Sequence, residues 1–499
     1  MRDALRRMRG FANACVRLPT EMTLRRQVIA ALGWSTGMRF AGQLITWAMT
    51  LVVVRILAPE DYGLMAITSA VLSMFQGISQ LGLGEAIVQR KAIDEATLRR
   101  VFGLIISSNL AMLVLLSLAA YPIADFYDDR RLVLLMQVAS LNFGFLALMA
   151  IPQAFLAKAL RFREISWVEF GTSLLGGVTV LILAWTGAGV WSLMCGMIVQ
   201  NVTRTVGFAI YAPYFPRPDF RLGGLRAIAT FGALRTVENL AWQAYTSADT
   251  FIVGRILGQE ALGLYSVAQT IALMPLSKVG GILSQVSFPA FALVQDQRQQ
   301  AADYLVKALR LLAICGFPVF FGVSAVAPEF IEVVLGAKWA ATIIPLQILA
   351  VVAPLRLFAP VISSFLRGVG LLRISVANTL LGLILLPVAI AIGCKWGIVG
   401  ASVAWLCVYP VFFAHIILRT YQALGIPLSR VISAIGNPAI GAALMYFIVY
   451  LGRQAISDQV RVPIALVILI ALGGIAYVGY SLVSNRATVT ELWSLVWSR

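Results

Sequence analysis

The chain has 499 residues, 60% of them hydrophobic and 12% charged, with a mean hydropathy of +0.88. Soluble domains carry about 25% charged residues, so this composition excludes a soluble globular protein and describes an all-α chain that crosses a membrane many times. A net charge of +17 would suggest nucleic acid in a soluble chain; here the basic residues sit in short loops, where they set orientation and meet anionic lipid headgroups.

Residues 1–27 are polar and carry seven arginines (Arg2, Arg6, Arg7, Arg9, Arg17, Arg25 and Arg26), which assigns them to the cytoplasmic surface. The apolar run that follows is too long for a signal-peptide core and no small-residue cleavage site follows it, so it reads as an uncleaved first span. Each span needs about 20 apolar residues. Such runs lie at 28–57, 62–88, 101–123, 132–158, 165–186, 188–213, 226–257, 261–293, 301–326, 341–366, 373–394, 397–419, 431–452 and 462–484. The expectation is therefore about fourteen transmembrane helices.

Loop charge gives an independent reading of orientation. With the N-terminus inside, the cytoplasmic loops carry Arg90, Lys91, Arg99 and Arg100, then Lys158, Arg161 and Arg163, then Arg217, Arg221 and Arg226, and later Arg298, Arg367, Arg373, Arg419 and Arg430. The opposite loops are acidic or nearly neutral: APED at 58–61, ADFYDD at 124–129, GQEA at 258–261 and PEFIE at 328–332. Arg130, Arg131, Lys338, Lys395, Arg453 and Arg461 are exceptions. The bias places both termini in the cytoplasm.

The first span and its turn occur twice. Shifted by 200 residues, 36–64 lands on 236–264 without a gap, pairing Thr36 with Thr236, Gln43 with Gln243 and Thr50 with Thr250. RILAPEDYGL then lies on RILGQEALGL, with Arg55/Arg255, Glu60/Glu260 and Gly63/Gly263 in register. A fainter echo joins GVWSLMCGM at 189–197 to GASVAWLCV at 400–408. The polar and glycine matches carry the weight, and they describe a duplicated unit. An even number of spans precedes the second copy, so the copies enter from the same side as parallel repeats. The expected domains are a basic segment at 1–27, bundles of about six helices at 28–213 and 226–419, and two further helices at 431–484 that resemble an appendage. Arg55, Arg255, Glu60 and Glu260 are expected to shape the outer turns, each Glu at a helix start where the dipole favours it.

Charge within a span costs a few kcal/mol unless it has a partner or a wet cavity. Arg39, Glu169, Arg204, Arg235, Glu238, Asp249 and Lys278 lie well inside spans. Arg39 is about 16 Å and Arg235 about 14 Å from the cytoplasmic ends of spans 1 and 7, while Arg204 and Lys278 are about 24 Å from the outer ends of spans 6 and 8. Two readings stand. In one, Arg204 and Lys278 snorkel to the headgroups and Arg235 is neutralised by Glu238, three residues on. In the other, the four cations line a cavity open to the cytoplasm that receives an anion, with Glu238, Asp249 and Glu169 as coupling or charge-pairing groups. Arg39 has no carboxylate within a turn, and its repeat partner is Asn239, so the duplicated fold does not need that charge. Asp249 stands alone, nearer the outer side, and Glu85, Lys307, Arg310 and Arg356 read as interfacial residues near span ends. Pro275, Gly280 and Gly281 make span 8 able to bend beside Lys278.

Other chemistries lack their motifs. There is no phosphate-binding G-x-x-x-x-G-K-[ST] loop, one histidine (His415), and five scattered cysteines without metal-site spacing. No nucleic-acid partner, metal or cofactor is expected, and the chain reads as a carrier rather than an enzyme; H⁺ or Na⁺ coupling stays open.

The stretch VVRILAPEDYGLMAITSAVLSMFQGISQLGLGEAIVQRK, with Arg55, Leu57, Pro59, Asp61, Tyr62, Gly63 and Ala66 in a fairly specific pattern, resembles the polysaccharide-exporting flippases of the multidrug/oligosaccharidyl-lipid/polysaccharide superfamily. The similarity is to their Wzx-like bacterial branch. This resemblance implies two helical bundles in a V, with helices 1, 2, 7 and 8 around a cationic cavity. It implies an undecaprenyl-pyrophosphate-linked oligosaccharide as cargo, moved to the outer leaflet of the bacterial inner membrane for exopolysaccharide or lipopolysaccharide synthesis. It carries a cavity arginine onto Arg39 and a helix 8 cation onto Lys278. Membrane lipids, and a polymerase and glycosyltransferases of the same pathway, are the expected partners. A multidrug or organic-cation antiporter of the same superfamily is the alternative, although such a cavity should be acidic and aromatic. A polysaccharide polymerase would need a large outer loop carrying arginines, which the sequence lacks. The orientation is directly testable: cysteines placed in 58–61 and in 258–261 should react with an impermeant thiol reagent from the same, outer side, and labelling from opposite sides would refute the parallel repeat.

Overall fold

The computed structural model describes residues 42, 45–79, 95–159, 161–221, 226–292, 298–424, 428–456 and 460–484. All regular structure among them is helical. In hydrocarbon every backbone N–H and C=O must be paired internally, and a helix does this within one segment. The helices are α1 (Ile45–Ile56), α2 (Pro59–Ser79), α3 (Glu95–Tyr127), α4 (Arg131–Ser140), α5 (Asn142–Lys158), α6 (Phe162–Trp185) and α7 (Val190–Tyr211). They continue as α8 (Arg226–Ala292), α9 (Arg298–Ala325), α10 (Ile343–Gly368), α11 (Leu372–Gly393), α12 (Gly397–Leu424), α13 (Leu428–Ala455) and α14 (Val462–Ser484). Ten helical stretches among the described residues are long and apolar enough to cross a membrane. Each helix falls on an expected span; α4 and α5 share one, interrupted at Leu141, whose φ of −57° and ψ of −21° stay helical.

Two of these helices show what the repeat encodes. The 67 residues of α8 would extend about 100 Å as one rod, against about 30 Å of hydrocarbon. The helix breaks once, at Gly258, with φ 84° and ψ 177°. That backbone favours glycine, because a Cβ is strained there. The equivalent residue in the first copy is Ala58, and the same break is made by different means. Pro59 opens α2, and the Asp61 carboxylate accepts the Ala58 N–H at 3.0 Å. Glu60 and Asp61 both sit in the first turn of α2, where the helix dipole favours negative charge.

The chain divides into two compact units, one up to Ala244 and one from Tyr245. In the first, α3 and α5 bury Leu98, Val101, Phe102 and Ile105 against Ala147, Ile151 and Ala154. Leu156 of α5, Val168 of α6 and Phe208 of α7 form a second core, and Val53 and Leu57 of α1 meet Ala184 of α6. In the second unit α10 is the most enclosed element, with Leu346, Phe358, Val361 and Phe365 fully buried. The α11–α12 hairpin brings backbone against backbone: a Cβ on Gly400 would lie 2.1 Å from the Gly393 carbonyl oxygen. The outward faces are apolar, as lipid requires; Ile475 and Val483 of α14 are 73% and 75% exposed.

Three features at helix ends and loops differ from the sequence reading. PEFIE is not an open loop: Ala327–Phe330, Ile331–Leu335 and Ala337–Thr342 wind into successive helical turns over a fully buried Trp339. The last two helices are built into the second unit rather than hung from it. Val449, Leu466 and Leu469 join Ala325 and Val326 in one core, and the Tyr477 hydroxyl donates to the Ile314 carbonyl at 2.9 Å. Two of the basic residues that break the loop-charge bias also have acidic partners. Arg453 forks onto Glu329 and donates to the Ala325 carbonyl, while Arg131 joins Asp129 and Glu60.

The Arg453–Glu329 pair is partly exposed (side chains 28% and 12%), so its loss falls below that of a fully buried pair. Arg453→Met should cost about 1–3 kcal/mol in unfolding of the detergent-solubilised protein, and adding Glu329→Gln should recover part of it. At Asp129, burial pushes the carboxyl up, but the hydrogen bonds and charge of Arg131 outweigh it and hold it below its usual range. A depressed folded-state value contributes stability above the unfolded value of about 3.9, lost as pH falls through the folded value. Melting temperature should therefore fall on acidification below about pH 4, with a shallower fall in Asp129→Asn.

Candidate functional site

Arg39 lies outside the described residues. Arg235, Glu238 and Lys278 are on the helical backbone of α8, and their side chains also lie outside what is described. Gly280 and Gly281 likewise stand on helical backbone, after a partly buried Pro275. The non-helical backbone within α8 is at Gly258. Arg204, Glu169 and Asp249 are described in full.

Arg204 of α7 and Glu169 of α6 face each other across an antiparallel hairpin. Each lies seven residues, about 10 Å, from its helix end on the same side. Matched depth lets the guanidinium take both carboxylate oxygens, Nε to Oε1 at 3.0 Å and Nη2 to Oε2 at 2.9 Å. Bidentate pairing is the strong geometry for this couple. Arg204 therefore has its counter-charge within the first unit, as a paired residue rather than an open cation.

Asp249 is not alone. It lies nine residues before the break at Gly258, while Tyr265 and Gln269 lie seven and eleven after it, so the two legs of α8 bring all three to one depth. The carboxylate is 1% exposed. Oδ1 accepts the Thr250 N–H at 2.8 Å; Oδ2 accepts the Tyr265 hydroxyl at 3.3 Å and the Gln269 amide. The Tyr265 oxygen in turn accepts the indole N–H of Trp405, from α12, at 3.0 Å. Over the Trp405 ring, 4.0 Å from its centroid, lies the guanidinium of Arg356. Its charge acts on Asp249 and on the hydroxyls of Tyr245, Tyr265 and Tyr409.

The sequence reading of Arg356 as interfacial is thus corrected: it is thirteen residues from the start of α10 and twelve from its end, in mid-helix. An apolar-run reading averages over a single arginine and cannot see the aromatic face that carries it. Its distance from both ends of its own span was the signal available. The cluster also belongs to one copy alone. Continuing the 200-residue register, Ile45, Met49, Met65 and Ser69 stand where Tyr245, Asp249, Tyr265 and Gln269 do, and in the fainter echo Met194 stands where Trp405 does. Among the described residues no group of three or more His, Cys, Asp or Glu side chains could hold a metal ion.

Comparison with known proteins places this fold. The family model described as polysaccharide biosynthesis protein matches residues 52–344, more than half of the chain. The chain belongs to the polysaccharide biosynthesis protein family. Within it, the chain is 27% identical over 390 residues to the lipopolysaccharide biosynthesis protein WzxC of Escherichia coli (strain K12), covering 78% of this chain and 79% of that one. It is 24% identical over 482 residues to the succinoglycan biosynthesis transport protein ExoT of Rhizobium meliloti (strain 1021), covering 95% and 96%. The fold matches the lipid II flippase MurJ in an inward closed conformation, with a TM-score of 0.72 at 15% identity over 91% of this chain and 99% of that one. An inward-facing multidrug resistance MATE transporter of the MOP superfamily matches with a TM-score of 0.60 over 77% and 95%. This family member is a Wzx-like multi-pass membrane transporter with a MurJ/MATE-like fold, not an enzyme.

The Asp249 network distinguishes charge from hydrogen bonding. Asp249→Leu strands the two side-chain donors, Tyr265 and Gln269, and should cost about 2–4 kcal/mol in unfolding, whereas Asp249→Asn keeps an acceptor and should cost less than half as much. Equal losses would mean that the hydrogen bonds do not hold the site.

Proposed function

We propose that this family member carries an undecaprenyl-pyrophosphate-linked oligosaccharide from the cytoplasmic to the outer leaflet of a bacterial inner membrane, by alternating access. The supporting observation is its membership of the polysaccharide biosynthesis family together with similarity over 95% of the chain to a succinoglycan transport protein. The cargo chemistry fits intramembrane cations. The pyrophosphate is a fixed anion that an arginine fork can grip, the sugars need a wet path, and the polyprenyl tail can stay in lipid. On this reading Arg39 and Lys278, with Arg235, bind the pyrophosphate in a cytoplasm-open state, and Pro275, Gly280 and Gly281 let the eighth span bend. Arg204 is neutralised by Glu169 and contributes less than its position implied. Asp249 is the group for H⁺ or Na⁺ coupling, and both termini lie in the cytoplasm. The polymerase and glycosyltransferases of the same pathway are its functional partners.

The deciding measurement is polymer production in a flippase-null strain, with membrane protein level as control. Arg39→Ala should abolish export at normal protein level. Arg39→Lys should restore it in part, because an ammonium lacks the bidentate fork. Full polymer from an Arg39→Ala, Lys278→Ala double variant would remove these residues from the cargo site.

A further inference from the structure

Among the described residues of the second unit, Arg356 is a charged group whose chemistry is left incomplete. Its guanidinium carries five N–H donors, yet among the described residues it donates no hydrogen bond, and Nη1 is buried without a partner. Among the described residues no carboxylate forms an ion pair with it. Asp249, whose charge reaches it, is engaged instead by Thr250, Gln269 and Tyr265. Trp405 meets the guanidinium through a cation–π contact, with the guanidinium carbon 4.0 Å from the ring centroid, and a ring face offers its N–H donors no lone-pair acceptor. A buried donor left unmade is costly, and an arginine in mid-span more so. The first copy of the repeat has apolar or small residues where Tyr245, Asp249, Tyr265, Gln269 and Trp405 stand, so the shared fold does not demand the side chains that surround this group.

We propose that Arg356, seated over the Trp405 ring, is an anion-binding residue of the second unit that takes phosphate oxygens, the acceptor geometry that an arginine fork matches. Two sources carry that chemistry, the pyrophosphate of the cargo and the phosphate of a lipid headgroup; only the first rests on the function proposed above. The groups that the guanidinium's charge reaches are Asp249 and the hydroxyls of Tyr245, Tyr265 and Tyr409. The Asp249 carboxylate is the single opposing charge among them. It weakens the site for an anion, and its removal strengthens it.

The test titrates inorganic pyrophosphate into the purified full-length protein in a neutral detergent and reads binding by calorimetry. Arg356→Gln should weaken binding by on the order of tenfold to a hundredfold, with Arg356→Lys between it and the wild type. Asp249→Asn should tighten binding several-fold, a gain that damage to folding would not produce. Gel filtration and melting temperature establish that each variant is folded. If phosphatidylglycerol added to the sample competes in the wild type but not in Arg356→Gln, a lipid headgroup is the source; if it does not compete, the source is pyrophosphate. Unchanged affinity in a folded Arg356→Gln protein, or weaker binding in Asp249→Asn, would overturn the assignment. Failure of the unsubstituted chain to restore polymer in a flippase-null strain, with Arg356-dependent binding intact, would count against the proposed function alone.

Discussion

A charge carried into hydrocarbon must be met at its own depth, because no water is there to meet it and a helix cannot slide to accommodate it. Much of the described polar architecture follows from that constraint. Arg204 and Glu169 sit at equal distances from the ends of neighbouring helices and close as a fork. Asp249 finds Tyr265 and Gln269 because Gly258 folds one long helix back on itself. At the helix ends, Arg453 and Glu329 apply the same rule to fasten the last helices, where the pair is still partly exposed.

Duplication separates what such charges do for folding from what they do otherwise. The turn at 58 and 258 is common to both copies, and each makes it with local means, a proline and an aspartate cap in one and a left-handed glycine in the other. A feature rebuilt from different residues is one the fold requires. The tyrosine–aspartate–glutamine–tryptophan cluster is the opposite case, since it replaces methionine, isoleucine and serine in one copy only. Its cost is met within that unit, with no return in the common architecture.

The helices and their turns were largely legible in the sequence, because span length and loop composition are local properties. The break at Gly258 was marked by the GQEA loop between the apolar runs 226–257 and 261–293, and by its register with the turn at 58. Partnerships were not legible. Asp249 looked solitary because its donors are sixteen and twenty residues away along a chain that reverses, and Glu169 is thirty-five residues from Arg204. Arg356 was read as interfacial because nothing in its own helix shows an indole on another. PEFIE looked like a loop from its acidic residues, whereas Trp339, a few residues beyond, winds it down by burial. Local chemistry was visible from the chain; contacts between helices required the fold.

The two described intramembrane centres differ in a way that bears on transport. In the first unit the guanidinium and the carboxylate satisfy each other, and a neutral bidentate pair has little reason to respond to a passing ligand. In the second, the carboxylate is saturated by neutral donors while the guanidinium is held by an aromatic face that offers it no acceptor. That division leaves the negative charge spoken for and the positive one available, although the two together are neutral. Had evolution needed only neutrality at this depth, a direct ion pair would have achieved it with fewer residues. Keeping the two apart means that a ligand with phosphate oxygens would meet donors already desolvated and already oriented, so little reorganisation would accompany its arrival.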